Sequence, residues 1–349
     1  MLSDLPGLVS PLLPLLRRHA DEADQTGAWP EEDLRMLHGV DVLNMALPSD
    51  GRGGGVSPLE QHLVYETVAR GSLSVALILS QRDAAIGLID ASDSAARERA
   101  LDACAKGAMT TVGIAQLTTS RQGVAPALKA TRSRDGYRID GLIPWCTGAA
   151  KADFLVAGAA TEDGGQLLFL LHGNAPGLTI DEPMPLVSLR SSWTTSVHCD
   201  RIEIPDEFVL RGPSDKVLIR DNHVPLGQAF LALGLCGGGL ELIREHRSEA
   251  ARKTEARFES QLDALRHRIL ELSDPAKEQE ASAAAPQIRG ECNDLALRIT
   301  HAAVALYKGT ALLAGHPAQR LAREAMFLLV WSCPNPVIDC TVDILSAEC

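Results

Sequence analysis

The spacing of apolar residues predicts helices at both ends of the chain. In residues 1–108, apolar positions recur at helical intervals. The clearest helix start is Ser57-Pro58-Leu59-Glu60, where a serine N-cap, a proline at the first helical position and a glutamate form a capping box. From about residue 222 the pattern returns to long amphipathic helices, predicted at 231–252, 291–313 and 317–331. The polar stretch between the first two of these helices, residues 255–290, has an alanine-rich middle at 276–286 that is expected to be mobile.

The region between these helices has the pattern of a β domain. Its short segments alternate apolar and polar residues or are rich in β-branched residues. Asp135-Gly136 and Asp163-Gly164-Gly165 separate them and favour tight turns. The prediction is an α+β protein with an N-terminal helical domain (1–108), a middle antiparallel β domain (109–215) and a C-terminal helical domain (216–349).

Size and charge narrow the classes of function. A chain of 349 residues is long enough for two or three packed units. Its net charge of −12 argues against nucleic acid or an anionic membrane surface as a partner, because phosphate binding relies on a basic field. The eight cysteines form no C-x-x-C pair and no zinc-like spacing, so a metal site is not expected. We expect a cytoplasmic protein without a signal peptide or a membrane span.

The candidate chemistry lies after the Asp135-Gly136 turn, in Ile143-Pro144-Trp145-Cys146-Thr147-Gly148. Trp145 and Thr147 are two residues apart, so in a strand they project from the same side. The indole offers a large stacking face, and the threonine offers a hydroxyl beside it. The alternative is that Trp145 is a core aromatic between the β domain and the helices.

This segment resembles the acyl-CoA dehydrogenase family, whose β domain carries the pattern Gly-Tyr-x-Ile-x-Gly-x-x-x-Trp-x-Thr. Similar landmarks flank it in the same order, including Leu47-Pro48-Ser-Asp-Gly51, Ile202-Glu-Ile-Pro205 and His316-Pro317-Ala-Gln-Arg320. The resemblance implies that Trp145 packs on a flavin ring and that the Thr147 hydroxyl bonds its reactive edge. Cys146 would contribute mainly its backbone.

The resemblance also implies an activity. Such a protein would be an FAD-dependent oxidoreductase acting on the CH–CH bond of an acyl-CoA or acyl-carrier thioester. An electron acceptor such as an electron-transfer flavoprotein would take the electrons. The family further implies a homodimer or homotetramer, with candidate buried positions on a C-terminal helix at Leu297, Ile299, Val304 and Leu306.

Three departures from the family pattern bear on this activity. The usual flavin-wrapping loop Thr-Glu-Pro-Gly-x-Gly-Ser-Asp is replaced by residues 116–123, which have no glycine at either glycine position of the pattern. The usual Phe-Gly-Gly-x-Gly loop, which helps hold the adenine half of FAD, is reduced to residues 307–311. Ser332 occupies the usual position of the catalytic glutamate, and an alternative base position in residues 226–230 also lacks an acid.

No catalytic base is therefore identified from the sequence. Dehydrogenation of a thioester needs a carboxylate to take the α-proton, and a serine of ordinary basicity does not replace it. Two alternatives follow: a flavin-dependent monooxygenase of the same fold, which needs no glutamate, or a catalytically degenerate subunit.

Overall fold

Helices form both ends of the molecule, as the apolar spacing predicts. The structure, a computed structural model, describes residues 4–117, 126–218 and 226–347. The capping box is formed: the Ser57 hydroxyl accepts from the amide of Glu60, and the Glu60 carboxylate accepts from the amide of Ser57. The helices are α1 Leu5–Val9, α2 Leu13–Thr26, α3 Glu31–His38, α4 Pro58–Gly71, α5 Leu73–Asp90, α6 Arg97–Ala105, α7 Gly227–Glu245, α8 Glu249–Leu272, α9 Glu278–Tyr307, α10 Pro317–Leu328 and α11 Asn335–Ser346.

One sheet fills the middle of the chain. Its strands are β1 Thr110–Gly113, β2 Leu128–Arg132, β3 Gly136–Cys146, β4 Phe154–Thr161, β5 Gln166–His172, β6 Leu178–Ile180, β7 Thr195–Pro205 and β8 Val209–Ser214. They lie in the order β6-β7-β3-β2-β4-β5-β8, and β1 pairs with the free part of β4. The prediction of a purely antiparallel domain is wrong in one respect, because β4 runs parallel to both β1 and β2.

The N-terminal and C-terminal helices share a single hydrophobic core. The contact between α4 and α7 is close because α7 carries glycines where the helices cross. A Cβ atom on Gly234 would lie 2.3 Å from the carbonyl oxygen of Glu66, and one on Gly238 would lie 2.8 Å from that of Arg70. The glycine-rich segment of α7 therefore serves close helix packing.

Helix α5 connects this core to the sheet. It is apolar on almost all sides, a pattern typical of a helix buried between two layers. Its first half joins the helical core through residues such as Val75 and Leu79, and its second half packs Ile86 and Ile89 with residues of β1 and β5. The fold is thus α+β in the predicted order of helices, strands and helices, whereas the domain boundaries at 108 and 215 remain predictions.

One helical prediction in the C-terminal part is wrong. The helix predicted at 231–252 breaks after Glu245, because Ser248 caps a new helix by accepting from the amide of Ala251 at 3.1 Å. The segment expected to be mobile is the first part of α9, which continues through Pro286. No helix among residues 4–117, 126–218 and 226–347 is long and apolar enough to cross a membrane.

Candidate functional site

Trp145 lies at the exposed end of β3, which is longer than the sequence suggested. The register of β3 against β7 shifts between Ile143 and Cys146, around Pro144, which has no amide hydrogen to donate to the ladder. Within this irregular stretch Trp145 is 52% exposed, whereas Cys146, where pairing resumes, is 1% exposed. Trp145 is therefore not a core aromatic, and its indole is open to contact.

Thr147 follows in the turn after β3 and is held at two points. Its carbonyl oxygen accepts a hydrogen bond from Oγ1 of Thr111 on β1 at 2.7 Å. Its own Oγ1 lies 3.1 Å from Oγ1 of Thr194, which in turn lies 2.8 Å from Oγ of Ser192. The sequence did not single out Thr194 or Ser192, because their link to Thr147 exists only once the loop before β7 folds back on β3.

The residue after Thr147 anchors the site to the N-terminal helices. Gly148 has φ +65°, and a Cβ atom there would lie 2.9 Å from the ring of Trp29, so glycine is required on both counts. Trp29 packs on Trp193 with ring centroids 5.7 Å apart. The indole nitrogen of Trp193 donates to the carbonyl oxygen of Gly27 at 2.9 Å. The strand end that carries Trp145 and Thr147 is therefore fixed from two directions.

Gln116 adds a buried acceptor next to this strand end. It lies in the short helical turn Ala115–Leu117 after β1, and β1 adjoins the end of β3 through the bond from Cys146 to the carbonyl of Val112. The Gln116 side-chain nitrogen donates to the carbonyl oxygens of Gly113 and Gly158, each at 2.7 Å. Its Oε1 is buried with no hydrogen-bond partner among the described residues. Residues 118–123, which the resemblance aligns with a flavin-wrapping loop, lie outside the described residues.

Cys146 has the inward orientation expected between two outward-facing residues. Burial, and to a smaller extent Cys199, raises the pKa of its thiol to about 12. A thiol with this pKa remains protonated at neutral pH and is a poor nucleophile. Any contribution of Cys146 to ligand binding therefore comes from its backbone.

Ser332 lies in a segment clamped by a buried arginine. Arg289 on α9 is 3% exposed and donates to the carbonyl oxygen of Ser332 at 2.7 Å and to that of Trp331 at 3.3 Å. It also donates to Oε1 of Gln228, at the start of α7. Arg289 thus joins Ser332 to residues 226–230, the second region where the family resemblance expects a base. An arginine among the apolar residues of α9 was the signal for this contact in the sequence.

Ser332 itself has φ +49°, a left-handed conformation that costs energy for a residue other than glycine. The hydrogen bonds described for its backbone run to Arg289 and not to Trp145 or Thr147. The structure therefore brings Trp145, Cys146 and Thr147 together on one strand, but it describes no bond between them and Ser332.

The loop at residues 307–311 is held by its first residue. The hydroxyl of Tyr307 donates to the carbonyl oxygen of Leu242 at 3.1 Å. Its ring lies edge-on to His246 and His316, with centroids 5.0 Å and 4.7 Å away. The following turn, Lys308–Leu312, exposes most of the side chain of Leu312.

The known proteins to which this chain is similar include acyl-CoA dehydrogenases. Residues 15–108 match the family model described as acyl-CoA dehydrogenase, N-terminal domain. A probable acyl-CoA dehydrogenase, fadE25 of Mycobacterium leprae, is 23% identical over 347 residues, which cover 91% of this chain and 88% of the relative.

Solved structures with the same fold bind flavins. A glutaryl-CoA dehydrogenase from Mycobacterium smegmatis in complex with FADH2 is similar with a TM-score of 0.82 and 18% identity, covering 99% of this chain and 94% of the other. Dibenzothiophene monooxygenase (TdsC) from Paenibacillus sp. A11-2 gives a TM-score of 0.81 and 16% identity, covering 98% and 97%. Its FMN-bound form gives a TM-score of 0.82.

Proposed function

We propose, from the match of residues 15–108 to the acyl-CoA dehydrogenase N-terminal domain and the similarity of most of the chain to a probable acyl-CoA dehydrogenase, that this protein is an FAD-dependent oxidoreductase whose residues 109–215 carry the flavin. The proposed reaction is oxidation of the CH–CH bond of an acyl thioester. The observation that carries the proposal is the exposed indole of Trp145 beside the hydroxyl of Thr147, on a strand end fixed by β1 and by Trp29.

The residues present fit an isoalloxazine ring. Trp145 offers a face for stacking, and Thr147 offers a hydroxyl beside it. The unpartnered Oε1 of Gln116 suits a ring N–H, because a buried acceptor without a donor is costly and the side-chain nitrogen is already committed to two carbonyls. All three lie where β1 and β3 adjoin.

In this proposal the protein contributes position and the flavin contributes redox chemistry. A bound flavin would supply an acceptor for hydride from the β-carbon of the thioester. Trp145 would hold one face of the ring and exclude water from it, and Thr147 would fix its reactive edge. The α-proton would need a base, and neither Ser332 nor Gln228 supplies a carboxylate.

Replacement of Trp145 tests the site directly. We expect Trp145→Ala to weaken FAD binding roughly 30-fold or more, because truncating a central aromatic anchor typically costs about 2 kcal/mol or more. Thr147→Ala should weaken it less, since one hydrogen bond contributes about 0.5–1.5 kcal/mol. Titration of the apo-protein with FAD, followed by flavin fluorescence, measures both. Trp331→Ala is a control for loss of an indole elsewhere, and equal FAD affinity in all variants would refute the assignment.

The visible spectrum of the freshly purified protein, with identification of any released flavin, tests the cofactor itself. Bands of oxidised flavin and released FAD support the proposal. A colourless protein that stays colourless with added FAD supports the alternative of a degenerate subunit.

A flavin-dependent monooxygenase is the second candidate. It is favoured by the lack of a carboxylate at residues 228 and 332 and by the similarity to dibenzothiophene monooxygenase. Such an enzyme would use reduced flavin and oxygen. Oxygen consumption that depends on supplied reduced flavin would identify it, whereas anaerobic flavin reduction by a thioester would identify the dehydrogenase.

We also propose a homodimer or homotetramer. Of the positions suggested by the resemblance, Ile299 is fully buried within the chain, and Leu297, Val304 and Leu306 are half-buried. Exposed apolar side chains lie instead on α11, at Ile338, Val342 and Leu345.

Light scattering at micromolar concentration should give at least twice the mass of one chain. The double variant Ile338→Asp/Val342→Asp should lower that mass, because charges on the apolar stripe oppose its burial. A matched variant on the polar side of α11, Asp343→Asn, should leave it unchanged. A parent protein that is monomeric would contradict the proposed assembly.

A further inference from the structure

Three hydroxyl groups form a short chain that ends at the candidate flavin site. Ser192 Oγ lies 2.8 Å from Thr194 Oγ1, and Thr194 Oγ1 lies 3.1 Å from Thr147 Oγ1. Ser192 is fully buried, Thr194 is buried, and Thr147 is partly exposed. These hydroxyls therefore lead from the interior to a partly exposed residue in the turn after β3, two residues after Trp145.

The buried end sets the direction of the hydrogen bonds. In the part of the chain that the structure describes, Thr194 Oγ1 is the one hydrogen-bond partner of Ser192 Oγ. Each hydroxyl donates one proton, and a buried proton without an acceptor costs about 1–3 kcal/mol. Ser192 must therefore donate to Thr194. The proton of Thr194 is then free to be donated to Thr147.

The direction of these hydrogen bonds determines whether the Thr147 hydroxyl donates or accepts towards a ligand. Because Thr147 accepts from Thr194, its own proton is directed away from Thr194 and Ser192 and is available to a ligand over Trp145. Thr147 is thus preset as a donor. The N5 atom of an oxidised flavin is an acceptor, whereas the N5–H of a reduced flavin is a donor and would oppose this arrangement.

We propose that Thr194 is a positioning residue that presents Thr147 as a hydrogen-bond donor, so that the site favours the oxidised over the reduced form of its flavin. This inference rests on the flavin binding proposed above. It predicts that loss of the Thr194 hydroxyl lets Thr147 rotate and accept from a reduced flavin, which reduces the discrimination between the two forms.

The test compares Thr194→Val, Thr147→Val and the double variant with the parent. Dissociation constants are measured for oxidised FAD and, anaerobically, for chemically reduced FAD. For Thr194→Val we expect the ratio of the two affinities to shift towards reduced FAD by roughly fivefold to tenfold, the effect of one hydrogen bond. A tenfold shift raises the two-electron midpoint potential by about 30 mV.

The double variant shows whether Thr194 acts through Thr147. It should match Thr147→Val, because the Thr194 hydroxyl has no further effect once its partner is gone. Thr195→Val is the matched control: Thr195 is also buried, but its hydroxyl donates to the carbonyl of Asp181 at 2.9 Å and lies outside the hydroxyl chain. Thermal unfolding of each apo-protein checks that the variants fold.

The outcomes separate the two proposals. A parent that binds neither FAD nor FMN overturns the flavin site and this inference together. A parent that binds FAD, with a Thr194→Val variant of unchanged affinity ratio, overturns the role of Thr194 alone. That role is also overturned if Thr195→Val shifts the ratio equally or if the effects of Thr147→Val and Thr194→Val are additive.

Discussion

The unmodified protein is expected to show weak or no α,β-dehydrogenation of ordinary acyl-CoAs, and Ser332→Glu is expected to increase it. General-base catalysis typically contributes about 10²–10⁴-fold, and Ser332 provides no base. The gain in dehydrogenation from Ser332→Glu should lie near the lower end of this range. Arg289 donates to the carbonyl of residue 332 at 2.7 Å, and so close a cation would lower the pKa of the new carboxyl and weaken it as a base. The measurement is the anaerobic loss of the oxidised-flavin band after adding the thioester.

Ser332→Gln is the control, because it has the shape of glutamate without its basicity. A gain in Ser332→Glu that is absent in Ser332→Gln assigns the effect to proton abstraction. Rapid reduction by the unmodified protein would show that another base exists. No gain in Ser332→Glu, with FAD and acyl-CoA both bound, would favour the monooxygenase or the degenerate subunit.

The second large effect concerns stability and centres on Arg320. This residue of α10 is 3% exposed, and its guanidinium binds Glu324 at 2.9 Å and Asp21 of α2 at 2.7 Å. It joins the C-terminal helices to the N-terminal ones. Arg320→Met should lower the free energy of unfolding by about 3–5 kcal/mol, because it leaves the buried Glu324 without its cation. Urea denaturation followed by circular dichroism measures this loss.

The pH dependence distinguishes charge from packing. Burial already raises the pKa of Glu324, and Arg320 opposes the rise. Without Arg320 that pKa rises further. A carboxyl whose folded-state pKa is raised binds its proton more readily in the folded state, so the variant regains stability as the pH falls through that pKa. A loss independent of pH would mean that packing dominates. The control Arg35→Met, at an exposed pair with Glu32, should leave stability unchanged.

Local patterns were sufficient for much of the secondary structure. The capping box at Ser57 forms because its partners are three residues apart, and such contacts do not depend on the rest of the fold. The same holds for the opposite orientations of Trp145 and Cys146 on β3. The break before Ser248 could have been predicted from its N-cap, but the continuous apolar spacing concealed it. The parallel pairing of β4 could not, since strand order depends on contacts far apart in sequence.

The sequence by itself determined the order of helices and strands, the resemblance to a family, and the identity of the residues at the end of β3. Periodicity, caps and turns are properties of neighbouring residues, and they can be recognised in the sequence alone. Only the tertiary structure decided which partners those residues have. Thr194 is 47 residues from Thr147 and Arg289 is 43 residues from Ser332. Such pairs form because the packing of the sheet and the helices brings distant polar groups together, and burial then makes their hydrogen bonds obligatory.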